Sequence, residues 1–308
     1  MSNSMPGVSV FIITYLTSKE RGKILKAICE NALALNYPTL EVVVSDNAGE
    51  YPAAEALESI SDPRLKIFRN EENLGFGGNI NMCLERCTYD IIKLNCDDDL
   101  LHPDFLKVTV PYVNDETFVI SDIGYYTLGE TPKELSRPLP ENPTVDIREP
   151  GYRSDIWEPS CIALPGCTLF TKKLFSDLGR YDAKTIMADY DFLLEVRLRR
   201  RVAYIQTVLC WMGEWEQSLS QAMRGSRPYF FVIGELYTKF RFLKCKSLSA
   251  SDHNKLRRKI FRQVLWEFVR VFRHVYKKKY REGFTAYVTR ISELKRAKPQ
   301  YFGTRPAD

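Results

Sequence analysis

The chain is expected to adopt an α/β fold built on a mainly parallel sheet, with a helical appendage at its C-terminus. Three observations carry that expectation. Strand-like and helix-like segments alternate four times in about the first hundred residues, the arrangement that lays helices on the faces of a parallel sheet. Polar clusters stand at the carboxyl ends of the strand-like runs, Thr14-Tyr15, Asp46-Asn47 and Asp97-Asp98-Asp99, where ligands bind in such sheets. From His253 onward the composition changes to a basic amphipathic pattern unlike anything before it.

Residues 8–14 read VSVFIIT, a continuous apolar, β-branched run of the kind covered on both faces. Residues 21–35 set Ile24, Leu25, Ile28, Leu33 and Leu35 at roughly helical spacing and stop at Asn36-Tyr37-Pro38. Strands over 41–45, 65–68 and 90–94 alternate with helices over 53–60 and 79–86, the latter opened by glycines. The last strand runs into the aspartate triplet, and Pro103 is placed to begin the next helix. Residues 131–159 are rich in proline and poor in periodicity, so a long loop over the mouth of the site is expected there. Arg148, Arg153, Trp157 and Glu158 are its candidate acceptor contacts. A further helix starting at Asp189 would run through Phe192, Leu194 and Val196.

With 44% hydrophobic and 27% charged residues the chain has an ordinary globular composition. Its eight cysteines form no Cys-x-x-Cys pair and are joined by only three histidines, which fits neither a zinc site nor a disulfide framework. No basic segment followed by an apolar run opens the chain, and no run of eighteen apolar residues occurs. The expected location is therefore cytoplasmic, peripheral at most on the inner face of a membrane. No Gly-x-Gly-x-x-Gly follows the first strand and no P-loop Gly-Lys-Ser/Thr exists, which removes the support for redox or ATPase chemistry.

Three adjacent carboxylates at the end of a buried strand repel one another, and a divalent cation with oxygen ligands is their natural partner. A metal held there could carry a diphosphate. An Asp-rich turn capping the following helix is the alternative reading of the triplet alone. Similarly, Asn73-Leu74-Gly75-Phe76-Gly77-Gly78-Asn79 reads either as a ligand loop or as a tight turn with a glycine cap.

Taken together, the motifs resemble the family 2 glycosyltransferases. The resemblance rests on residues 8–15, on Leu40-Glu41-Val42-Val43-Val44-Ser45-Asp46-Asn47, on Asn73-Leu74-Gly75, and on the triplet with His102-Pro103. It continues through Leu164-Pro165-Gly166-Cys167-Thr168-Leu169-Phe170, Leu178-Gly179-Arg180-Tyr181-Asp182 and Ala188-Asp189-Tyr190-Asp191-Phe192, covering roughly residues 8–220. It implies a GT-A nucleotide-binding sandwich over residues 1–225, with a donor half over about 8–123 and an acceptor half over about 124–225, followed by a basic helical region over 226–308. The activity implied is inverting transfer from a nucleotide sugar, UDP-sugars favoured, to a glycan or lipid-linked acceptor, with Mg²⁺ or Mn²⁺ as cofactor, in bacterial O-antigen or capsule synthesis.

Under that resemblance Asp46 would accept a hydrogen bond from the base, in a pocket lined by Thr14 and Tyr15. Asn73, Asn79 and Lys93 would assist at base or phosphate. Asp98 would meet ribose or metal, Asp99 would be the main metal ligand and Asp97 a third participant. Asp189 stands where the family has its general base, with Asp191 as fallback. Two departures mark the chain: the Glu usual before the base is Ala188, and Trp215 or Glu216 replaces a His before Ser218-Leu219-Ser220, so Glu216 becomes a candidate metal ligand. Trp211 and Trp215 read either as stacking platforms or as buried aromatics. A nucleotidyltransferase making nucleotide sugars and a non-catalytic sugar-nucleotide binding module are the competing readings.

Net charge is +5 overall, but residues 253–300 carry 15 Lys and Arg against 3 Asp and Glu, which leaves −7 for the remainder. Leu256, Ile260, Val264, Phe268, Phe272 and Val275 recur every three or four residues, widened by Leu265, Val269 and Tyr276. This basic amphipathic helix suits packing on the catalytic domain or an anionic membrane surface contacted by residues 253–279. No nucleic-acid motif accompanies it, so nucleic acid is not expected as a partner.

Overall fold

The structure, a computed structural model, describes residues 5–151, 165–183, 188–214, 239 and 250–274, with side chains in the last stretch as far as Trp266. The chain divides into two compact units, Met1–Lys184 with Ala188–Trp215, and Thr185–Met187 with Glu216–Asp308.

In the first unit β1 (Val8–Thr14) is wholly buried, as its unbroken apolar run demands. It pairs in parallel with β2 (Leu40–Asp46) on one side and β4 (Ile91–Cys96) on the other, and β3 (Leu65–Arg69) extends the parallel set beyond β2. Beyond β4 the sheet changes direction. β8 (Thr168–Thr171) runs antiparallel to both β4 and β6 (Thr117–Thr127), while β9 (Arg201–Glu214) is parallel to β6. The other edge of β9 is shared by β5 (Asp99–Leu101) and β7 (Val145–Arg148), both antiparallel to it. Among the described residues the strand order is β3-β2-β1-β4-β8-β6-β9-β5.

Helix α1 (Lys19–Leu33) begins where the Ser18 hydroxyl accepts from the Arg21 N–H, and it buries Leu25, Ile28, Cys29 and Ala32. Shorter helices follow: α2 (Ala53–Ala56), α3 (Gly75–Asn81), α4 (Cys83–Arg86), α5 (Phe105–Thr109) and α6 (Lys172–Asp177). Helix α7 (Ala188–Arg199) completes the unit, and α8 (Ala250–His274) belongs to the second. Phe170, Phe175, Tyr181 and Phe192 stack and edge together at centroid separations of 4.9 to 5.7 Å, which ties α6 and α7 to the sheet.

Several boundaries differ from the sequence reading for reasons of tertiary context. The expected helix over 53–60 stops after one turn, and that over 79–86 starts earlier, at Gly75 with φ +72°, and breaks in two at Met82. Asp99 opens a strand rather than leading toward a helix at Pro103, because the long β9 offers a pairing edge that local sequence does not reveal. Part of the expected 131–159 loop is recruited by that edge as β7.

Inside the parallel half Glu41 is buried, yet accepts from the Ser9 hydroxyl at 2.6 Å, Lys66 Nζ at 2.6 Å, and the Thr88 N–H and hydroxyl at 2.5 and 2.9 Å. Burial pushes its carboxyl up, but these donors outweigh it and hold the group below the usual range. Its contribution is therefore present above the unfolded value and lost as pH falls through the lower folded one. Glu41→Ala strands the Ser9 and Thr88 donors and should cost about 2–4 kcal/mol in urea unfolding at neutral pH. A loss of under about 0.5 kcal/mol would show that the network is dispensable.

Candidate active site

The carboxyl ends of β1, β2 and β4 lie side by side, because Thr14 stands in register with Asp46 and Ile13 with Cys96. Side chains there divide into those that hold the strand ends together and those that remain for a ligand. Asp46 belongs largely to the first group. Its Oδ1 accepts from the Gly49 N–H at 3.1 Å, and its Oδ2 accepts from the Ala53 N–H at 3.0 Å and from Arg69 Nη1 at 2.5 Å. Any bond to a base would have to use the remaining capacity of a buried Oδ1.

Asp97 is likewise engaged. Thr14 Oγ1 donates to it at 2.6 Å and Arg21 Nη2 at 2.8 Å, so the first aspartate of the triplet bridges β1 and α1. Burial pushes its carboxyl up, and the guanidinium of Arg21 pulls against that. Tyr15, one residue beyond Thr14, is 42% exposed at the same end of the sheet.

The asparagines form a buried lattice. Asn47 Nδ2 donates to Asn73 Oδ1 at 2.8 Å, and Asn47 Oδ1 accepts from Asn70 Nδ2 and the Leu74 N–H. Asn79 Oδ1 accepts from Ser45 Oγ and Asn70 Nδ2, and its own amide donates to the Ser45 carbonyl. Asn79 thus acts inside the protein, fixing the glycine-rich turn onto the end of β2, instead of reaching phosphate as expected. Asn70 escaped the sequence reading, and Asn47 was named there only as part of the polar cluster that ends β2, with no role of its own.

Lys93 requires a firmer correction. Its side chain is completely buried, and Nζ donates to the Leu94 carbonyl at 2.6 Å, to the Gly166 carbonyl at 2.6 Å and to Asn95 Oδ1 at 3.2 Å. Its three protons are taken up internally, and the ammonium lies 4.7 Å from the centre of the Phe105 ring. Buried in this way, it is not the contact for base or phosphate expected from the resemblance. It supplies positive charge beneath the triplet.

That charge faces the group most able to hold a cation. Ligand atoms of Cys96, Asp98 and Asp99 all lie within 4.8 Å of one another. Burial first, and then the Asp98 charge, push the Asp99 carboxyl up to about 8, against the opposing effects of Lys93 and the Cys96 thiol. A buried carboxyl with raised proton affinity such as Asp99 relaxes when a divalent cation replaces its proton, and carboxylate oxygens suit Mg²⁺ or Mn²⁺. Cys96 joins the set although sequence reasoning passed over it. Asp97 stands apart from it, and Glu216 lies outside the described residues.

Two glycines bracket the cluster. A Cβ on Gly166 would fall 2.1 Å from Asp99 Oδ2, and one on Gly213 would fall 2.5 Å from the Asp98 carbonyl, which accepts from the Gly213 N–H at 3.0 Å. Tyr126 Oη also donates to that carbonyl, at 2.9 Å. Any side chain at either position would collide with the triplet.

Asp189 sits in the first turn of α7, half-buried, with Oδ1 accepting from the Tyr190 N–H, and burial pushes its carboxyl up. Asp191 is only 2% exposed. The Tyr181 ring stacks on Phe192 of α7 at 4.9 Å, and burial drives the ionisation of its hydroxyl up. Ala188, where the resemblance leads one to expect Glu, is buried against Gly77. Arg148 is paired with Asp146 on β7, and Trp211 is buried in β9. Arg153, Trp157, Glu158 and Trp215 lie outside the described residues.

The family description "Glycosyl transferase family 2" matches residues 9–179, more than half the chain. The chain belongs to glycosyl transferase family 2. Over 165 residues this glycosyltransferase is 26% identical to the amylovoran biosynthesis glycosyltransferase AmsE of Erwinia amylovora, a match covering 51% of this chain and 59% of that protein. Its fold is similar to that of S. aureus TarS 1–349 in complex with UDP-GlcNAc, with TM-score 0.66, 14% identity, and 94% and 80% of the two chains covered. It is similar also to the mannosyltransferase PcManGT from Pyrobaculum calidifontis in complex with GDP-Man and Mn²⁺, with TM-score 0.57, 16% identity, and 94% and 86% covered. The family 2 glycosyltransferase therefore has the GT-A fold expected from its motifs.

Gly166→Ala should displace Asp99 and weaken Mn²⁺ binding by about ten- to a hundredfold, the scale found when the surroundings of metal ligands are disturbed. Calorimetry of the two proteins tests this, and equal affinity would separate Asp99 from the metal. In the metal-free enzyme Asp99 keeps its proton up to about pH 8 when folded but only to about pH 4 when unfolded. The folded state binds the extra proton between those values, so this group lowers stability progressively as pH rises from about 4 to about 8. Asp99→Asn should flatten that part of the profile and raise the melting midpoint at pH 8. Parallel profiles would remove Asp99 as its cause.

Proposed function

We propose that this family 2 glycosyltransferase is an inverting, metal-dependent enzyme. It would move a sugar from a nucleotide-sugar donor, a UDP-sugar by preference, to a hydroxyl of a glycan or lipid-linked acceptor in bacterial surface polysaccharide synthesis. The observation that carries the reading is the Cys96, Asp98 and Asp99 cluster at the carboxyl end of β4. The polysaccharide role of AmsE, the UDP-GlcNAc complex of TarS and the Mn²⁺ complex of PcManGT support it.

Asp98 and Asp99, with Cys96 beside them, would hold Mg²⁺ or Mn²⁺, which supplies Lewis-acid stabilisation of the departing diphosphate. The chain's own residues supply the rest. Lys93, the Gly166 carbonyl and the Asn95 amide fix the backbone and charge around Asp99, so its carboxylate needs little reorganisation when charge develops nearby. Tyr15 offers an exposed ring for the base at the end of β1. Asp189 takes the proton of the attacking hydroxyl through its carboxylate. Its half-buried position leaves it accessible, and its raised proton affinity makes it a better base at neutral pH than an ordinary aspartate. Asp191, facing the interior, serves α7 instead.

A donor panel assayed with Mg²⁺, Mn²⁺ or EDTA tests the reading, with the anomeric configuration of the product followed by NMR. Asp189→Asn should lower kcat by about a hundredfold or more while leaving donor affinity nearly unchanged. Retained turnover in that variant, or donor affinity indifferent to EDTA, would overturn the corresponding assignment.

A further inference from the structure

The apolar residues of α8 divide between two faces, and Leu265, which widens the stripe read from the sequence, falls on the exposed one. Leu256 and Ile260, one turn apart, are at most 5% exposed and make its inward side. Phe261, Leu265 and Trp266, by contrast, are 68%, 52% and 61% exposed. At 3.6 residues per turn, Arg257, Arg258 and Arg262 fall among them, and the six side chains together occupy roughly half the helix circumference. All three arginines are exposed. Asp252 and Glu267, the acidic residues of α8, both lie outside this arc, and Asp252 is paired with Lys255.

We propose that this face docks the enzyme on an anionic lipid bilayer, the helix axis lying in the plane of the headgroups. Two kinds of side chain on one surface single out that occupant. Exposed Phe, Leu and Trp lose unfavourable contact with water on entering the acyl boundary, and an indole is at home at headgroup depth. Guanidinium groups beside them pair with lipid phosphates, each arginine contributing about fivefold in partitioning near a negatively charged surface. A second copy of this chain would set the arginine rows against each other, so charge complementarity favours lipid over self-association. No helix among the described residues is long and apolar enough to cross a membrane, and attachment of this kind needs none. The inference goes beyond the proposed reaction and rests on α8 alone.

Co-sedimentation of the full chain with vesicles of phosphatidylcholine containing about 30% phosphatidylglycerol, and with phosphatidylcholine alone, tests the proposal. Binding should favour the anionic vesicles by at least about tenfold and fall steeply near 0.5 M salt, roughly where screening is nearly complete. A Phe261→Ser, Leu265→Ser, Trp266→Ser triple variant and an Arg257→Gln, Arg258→Gln, Arg262→Gln triple variant should each lose most of the binding. These positions are exposed, and circular dichroism checks that both variants fold. Trp266 emission should shift to the blue on vesicle addition, and Trp266→Phe should lose that shift. Equal partitioning of the wild type and both variants would overturn the proposal. So would equal affinity for neutral and anionic vesicles, or an apolar triple variant that alters only the oligomeric state seen by gel filtration.

Discussion

A full positive charge is buried in the strand where the sheet changes from parallel to antiparallel pairing, and much of the site depends on that charge being satisfied. Lys93 stands opposite Val10 of β1 on one side and Leu169 of β8 on the other. Burying an ammonium is costly unless its protons and charge are matched. Here the match comes from the carbonyls of Leu94 and Gly166 and from the Asn95 amide oxygen, one acceptor for each proton, against the burial that pulls its proton affinity down. The same contacts that tolerate the cation bring the Gly166 turn from the second half of the domain against the triplet. Lys93 is thus a positioning residue: it joins two stretches separated by 73 residues and gives Asp99 a counter-charge.

The polar residues at the strand ends divide by what their neighbours require. Asp46 and Asp97 meet guanidinium groups and backbone N–H groups, and they hold the ends of β1 and β2 in place. The ligand atoms of Asp98 and Asp99 lie together with the Cys96 thiol, a donor set that could hold a divalent cation. One run of three identical residues therefore does two different jobs. Glycines at 166 and 213 are needed because neighbouring strands approach the triplet too closely for any side chain.

The departures from the family pattern acquire a physical reading from the packing. A Glu in place of Ala188 would have its side chain directed at Gly77 and the glycine-rich turn, in a space that is closed. The acidic residue of α7 that keeps contact with solvent is Asp189, whereas Asp191 and Glu195 are buried. That difference in accessibility, more than spacing in the motif, separates the two aspartates.

By itself the sequence determined the parallel first half. Its strands are continuous apolar runs whose period and punctuation are local properties, and β1 matches the expected span while β2 and β4 fall within two residues of theirs. It also determined the family, because the order of several weak motifs is written along the chain, and it located the triplet. Tertiary structure alone decided which aspartate faces which partner. Arg21 and Gly166 reach the triplet from two distant places in the chain, meeting there Lys93 and Cys96 of the strand that leads into it, and the direction of a side chain at a strand end depends on neighbours that local sequence does not name. It alone assigned β5 and β7 to the edge of β9, since strand pairing is a long-range choice. The outward face of α8 was settled in the same way: the sequence showed one stripe holding Leu256, Ile260 and Leu265 together, and the structure buries the first two while leaving Leu265 exposed with Phe261 and Trp266.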